Sequence, residues 1–238
     1  MPKLTPSNRR RSPRNRKRRV NALRSSKERW GGRDDRHREA YGNMKNKNAY
    51  AASQAAYGSE THQQKLFDQG YKLDNDLSGE RDKVYYDPSG ELPPIVAFRG
   101  TQDATDAHAD WSIVNGRYTG PQFDRAGTLI GMAEQRYGKG IVTGHSLGGT
   151  KAIVKGNEMG HEVVAFNPGT GLWELDAGDA TVFKTESDWI SSRIRGNNIY
   201  GASGGHSVGE FEDEFYYEEP ARYSEEPRVE QTQDNENE

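Results

Sequence analysis

Between the short apolar run Ile141-Val142-Thr143 and a helix-compatible stretch, the chain carries Gly144-His145-Ser146-Leu147-Gly148. A serine between glycines on a strand-to-helix turn has its hydroxyl exposed for attack, and the turn aims the next backbone N–H into the same space. The glycines are needed there because a side chain would collide with the neighbouring strand or helix. Ser146 is therefore the candidate nucleophile. A free serine attacks weakly, so it needs a base to take its proton and a carboxylate to orient that base. Behind a serine so placed, the partners follow in the order acid, then histidine. Of the six histidines only His161 and His206 lie beyond it. His161 directly precedes the apolar run EVVAF, with no carboxylate-bearing strand end between it and the serine, and reads as a surface residue of a helix–strand turn. His206, in the glycine-rich GASGGHSVGEF, can reach across a sheet edge and is the predicted base.

For the acid, Asp188 closes the run TVFKTESD, and strand ends are where such a site is built. Glu186, two residues earlier, is the nearest competitor, whereas Asp176 and Asp179 sit in the turn-like LDAGDA. An oxyanion needs two donors. One is the backbone N–H of Leu147, and the loop AFRGT offers the other through Thr101. Arg99 in that loop reads equally well as a buried tie between loops.

These residues need elements to hold them. Residues 41–69, rich in Ala and Gln with Tyr and Leu at intervals, predict helical pieces that form a cover rather than a catalytic centre. GYKLDNDLSG and KVYYDPSGELPPIVAFRG predict short strands joined by turns. The spacing of Phe123, Ala126, Leu129, Ile130 and Ala133 predicts a helix of about four turns ending at glycine. Then GIVTG, LGGTKAIVKGNEMG, EVVAFNPG and ATVFKTESD alternate strand and helix, the pattern of βαβ units on a parallel sheet. The expected fold class is α/β, a mostly parallel central sheet flanked by helices.

The 238 residues include no cysteine, which removes disulfides, thiolate zinc and a cysteine nucleophile. The net charge of -3 hides segregation: residues 1–39 carry fifteen Lys and Arg against four Asp and Glu, and residues 210–238 carry two against twelve. Both ends are poor in apolar residues. The expected organisation is a basic disordered arm at 1–40, a compact domain at 41–215 and an acidic disordered tail at 216–238, with the first half of FEDEFYYEEPARYSEEP packing on the domain. The basic start lacks the apolar stretch of a signal peptide, and no run reaches the roughly eighteen apolar residues of a membrane span. The expected location is intracellular, in cytosol or nucleus, or packaged in a virion. The arm has the charge to bind nucleic acid or an anionic membrane surface, or to be read for nuclear import.

The stretches IVAFRGT, Asp110-Trp111, VTGHSLGGTKA and VVAFNPG, in that order over 95–168, resemble the class 3 (fungal-type) lipase family. The resemblance implies an α/β-hydrolase fold, Ser146 as nucleophile, Thr101 and Leu147 at the oxyanion hole, an Asp–His pair from later strands, no cofactor, and an acyl-ester or lipid substrate. The segment QDATDAHADWSIVNGRYTGPQFD is polar, with no amphipathic apolar helix to act as an interfacial lid, which points to a compact esterase or phospholipase-like enzyme. The competing expectation is a virion- or nucleic-acid-associated structural protein with a silent hydrolase fold. DNDLSGERD opens like a calcium loop, but Tyr85 stands where its bidentate Glu belongs, so a tight turn is expected. No clustered His and carboxylate set suggests a metal.

Overall fold

A computed structural model of the chain describes residues 39–40, 42–100, 118–170, 173–196, 198–201 and 204–216. Strands β1 (Lys72–Leu73), β2 (Asp82–Tyr86), β3 (Ile95–Phe98), β4 (Ile141–His145), β5 (Glu162–Phe166), β7 (Thr181–Lys184) and β9 (Asn198–Tyr200) form one sheet in that order. The two hairpin-side pairings are antiparallel, and the four from β3 to β9 are parallel. A separate two-stranded parallel pair joins β6 (Leu175–Asp176) to β8 (Ile194–Arg195). The molecule thus has the mostly parallel, helix-flanked α/β sheet that the alternating pattern predicts.

The parallel strands are short and apolar because both faces are covered. Successive residues alternate between two cores: Ile95, Ala97, Ile141, Val164, Phe166 and Phe183 face one side, and Val96, Phe98, Val142, Ala165 and Val182 the other. Helices α1 (Met44–Ala56) and α2 (Glu60–Asp68) cover the first face. Alanines 49, 52, 55 and 56 let the α1 backbone come close to the sheet, where the buried Ser53 hydroxyl meets the Thr143 hydroxyl at 2.9 Å. On the same face, Phe211 and Phe215 from the short α5 (Glu212–Tyr216) and the turn before it close over Phe166 and Phe183, so the start of the acidic region packs on the domain as expected. Helix α3 (Pro121–Tyr137) covers the second face with Ala126, Ile130 and Ala133.

The helix after Ser146 differs from a uniform α-helix. It begins as α4 (Leu147–Lys151) and widens into a π turn at Ala152–Gly156, where Ala152, Ile153 and Gly156 face the sheet. Gly156 is required by packing, since a Cβ there would stand 2.5 Å from Val163 Cγ2. The DNDLSG turn is closed by Asp74 itself. One carboxylate oxygen accepts from the Asp76 and Leu77 amides, and the other from Arg136 and the Tyr137 hydroxyl, both at 2.7 Å. No helix among the described residues is long and apolar enough to cross a membrane.

Candidate active site

Register aligns the carboxyl ends of the central strands: Phe98 lies beside Gly144, His145 beside Phe166, and Phe166 beside Phe183. The loops leaving these ends carry the candidate site residues, as expected for a parallel sheet. Ser146 sits at φ 55, ψ -128, a left-handed conformation unusual for a side-chain-bearing residue. The turn is held from both directions, because the Ser146 N–H donates to the Phe166 carbonyl and the Ser146 carbonyl accepts from Thr150 and Gly169. The flanking glycines explain themselves. A Cβ on Gly144 would lie 2.5 Å from the Gly148 carbonyl carbon, and one on Gly148 would collide with the Phe98 carbonyl. Helix α4 therefore crosses β3 at backbone contact, and that contact presents Ser146.

His206, 60 residues away, places Nε2 2.7 Å from Ser146 Oγ and Nδ1 2.9 Å from Asp188 Oδ2. A carboxylate only accepts, so Nδ1 carries the proton, and Nε2 is left to accept from the serine hydroxyl. The Asp188 side chain is fully buried and its other oxygen accepts from the Ile190 N–H at 3.0 Å. Burial pushes this carboxyl up, but the hydrogen bond and charge of His206 and the Ile190 amide outweigh it, and it titrates below the ordinary value. The His206 side chain keeps 15% exposure. The Leu147 N–H opens the first turn of α4, where no intrahelical acceptor exists.

The structure thus brings Ser146, His206, Asp188 and Leu147 together. Thr101 and Asp110-Trp111 lie outside the described residues. Two expectations need correction. Asp188 is not at a strand end: β7 stops at Lys184, and Asp188 follows in a loop closed by a Thr185 to Asp188 turn. The competitor Glu186 is exposed in that loop. His161 is not a surface residue. Its side chain is 3% exposed, sits 3.2 Å from Glu134 of α3 and accepts from the Gly140 N–H, at the strand-start end of the sheet, away from the serine turn.

No protein-family model matches the chain, and no curated protein matches it either. What the residues can do therefore rests on their geometry.

Several neighbours had no expected role. Asn167, at φ 39 just after β5, accepts the Thr185 N–H on its side-chain oxygen and donates to the Gly205 carbonyl. The Thr185 hydroxyl donates to the same carbonyl at 2.7 Å. Together they hold the loop that carries His206. Tyr57, beyond the end of α1, donates to His145 Nδ1 at 2.7 Å and accepts from the Gly100 N–H at 3.0 Å. The helical cover is thus in contact with the site. A sequence signal existed only for His145, through its place beside the serine; Tyr57 is 88 residues from it in the chain.

Proposed function

We propose that the protein is a serine carboxylic-ester hydrolase of the α/β-hydrolase fold, similar to class 3 lipases, acting on acyl esters. The observation that carries this is the continuous hydrogen-bond line Ser146 Oγ to His206 Nε2 to Asp188, built on a serine at φ 55.

In this reading Ser146 Oγ attacks the ester carbonyl carbon as its proton passes to His206 Nε2. The carbonyl oxygen becomes an oxyanion that accepts from the Leu147 N–H and from Thr101. Collapse breaks the bond to the alcohol oxygen, which leaves with the proton from His206. Water then repeats the sequence on the acyl-serine, releasing the acid and restoring Ser146. Asp188 stays ionised throughout and holds the imidazolium. No cofactor takes part in these steps.

The test is hydrolysis of p-nitrophenyl esters of short and long acyl chains by wild type and Ser146→Ala, with a fluorophosphonate probe read by intact mass. Turnover lost in the variant and one adduct on the wild type are expected. A folded wild type with neither turnover nor adduct would sink the reading. The silent-fold alternative, in which the fifteen basic residues of 1–39 would bind a phosphate backbone, would then stand.

A further inference from the structure

His145 is buried beside the proposed nucleophile and takes no part in the steps above. Its hydrogen bonds leave only one arrangement of protons. Nε2 lies 2.5 Å from the backbone carbonyl of His206, and a carbonyl can only accept, so Nε2 carries the hydrogen. In a neutral ring Nδ1 must then accept, and the Tyr57 hydroxyl donates to it. Having donated its hydrogen, the Tyr57 oxygen accepts from the Gly100 N–H. The result is a directed chain, Gly100 N–H to Tyr57 O–H to His145 to the His206 carbonyl, with every donor matched to an acceptor.

The chain joins three loops that must keep register for the reaction. Gly100 precedes the oxyanion candidate Thr101, His145 precedes Ser146, and the last acceptor belongs to His206 itself. Asn167 and Thr185 already hold the Gly205 carbonyl, so His145 fixes the next peptide and with it the position of the His206 Cα. The fit is close: a Cβ on Gly100 would stand 2.7 Å from the Tyr57 oxygen and 2.8 Å from Ser146 Cβ.

Resting on the esterase reading, we propose that Tyr57 and His145 are positioning residues that lock the His206 backbone and the Gly100 loop against Ser146 through this one-way chain. Neutrality of His145 is part of the design. The two imidazole centroids are 4.9 Å apart, and a charge on His145 would oppose the imidazolium that forms on His206. The ionisable groups around it are Tyr57, His206 and Asp188. Burial and the neighbouring His206 push His145 down to about 3, and burial pushes the Tyr57 hydroxyl up to about 12, so at neutral pH the imidazole is uncharged and the phenol keeps its hydrogen.

The experiment has two arms on the full chain. In the first, Tyr57→Phe keeps the ring but removes the hydroxyl, and His145→Phe removes both bonds of the imidazole. Each is expected to lower kcat about 100-fold, the scale of a misplaced catalytic group, with KM nearly unchanged and the fold retained in circular dichroism. His145→Gln, whose amide can still donate to the His206 carbonyl, is expected to recover about tenfold over His145→Phe, which a filler of space would not do. In the second arm, ¹⁵N-histidine NMR of the wild type is expected to show His145 as a single Nε2–H tautomer that does not titrate between about pH 5 and pH 8. An adduct on the wild type with folded Tyr57→Phe and His145→Phe variants within about twofold in kcat would overturn the inference alone. A titrating or Nδ1-protonated His145 would do the same. Absence of any adduct on the wild type would overturn the esterase reading and the positioning role together, and the NMR arm would still report whether the chain of hydrogen bonds exists.

Discussion

Asp188→Asn is expected to remove nearly all turnover while leaving the volume of the site unchanged, and the reason lies in one backbone amide. The Ile190 N–H points at Asp188 Oδ1 from 3.0 Å. An asparagine there turns its carbonyl oxygen to that donor, so its NH₂ faces His206 Nδ1 where a carboxylate oxygen stood at 2.9 Å. Two donors cannot share that bond. The His206 hydrogen moves to Nε2, which then faces Ser146 Oγ at 2.7 Å as a donor and cannot take its proton. Inverting the tautomer of a Ser-His-Asp triad costs on the order of 10⁴ in kcat, which is about 5.5 kcal/mol at about 1.4 kcal/mol per tenfold. Steady-state hydrolysis of a short p-nitrophenyl ester and the fluorophosphonate labelling rate both measure it. Glu186→Gln is the control: that residue is exposed, and a change below about twofold is expected. A value of kcat within about tenfold of wild type in Asp188→Asn would show that Asp188 does not orient His206, whatever the static distance.

Gly148→Ala pushes a methyl into the Phe98 carbonyl, so α4 must lift from β3. Thermal unfolding is expected to show a loss of about 1–3 kcal/mol, and fluorophosphonate labelling of Ser146 to fall with it; wild-type stability and labelling together would refute the backbone contact. Glu212 ties α5 to α1 and α2 through His62 at 2.7 Å, the Tyr50 hydroxyl at 3.1 Å and Lys65 at 3.4 Å. Burial raises its carboxyl, but the charges and hydrogen bonds of His62, Lys65 and Tyr50 bring it below the ordinary value. A depressed carboxylate stabilises the fold above its unfolded pKa and loses that contribution as pH falls through the folded one. Glu212→Gln is therefore expected to lower Tm at neutral pH, with the gap to wild type shrinking once pH drops below about 4, and an undiminished gap in acid would contradict the assignment.

Much of this molecule was legible from short-range pattern. The helices over 44–68 and 121–137, the strands at 95–98, 141–145 and 162–166, and the serine turn all follow from periodicity and punctuation within a few residues. The π turn at 152–156 and the pair of β6 with β8 were not legible. Gly156 of the first packs against Val163 of the next strand, and the second joins two-residue strands whose partners lie 19 residues apart.

The site divides along the same line. Sequence by itself singled out the candidate nucleophile, because Gly144 and Gly148 are a local steric requirement of the turn that exposes Ser146. It also narrowed the candidate base to His206, since chain order left few histidines to choose from. Only the tertiary structure decided between Asp188 and Glu186, by burying one in reach of His206 and leaving the other in solvent. Packing alone turned His161 toward α3 and brought Tyr57 from a covering helix to His145. The physical reason is range. A turn or a helix face is set by neighbours a few bonds away, whereas a hydrogen bond across 60 or 88 residues exists only once two cores have fixed the sheet between its partners.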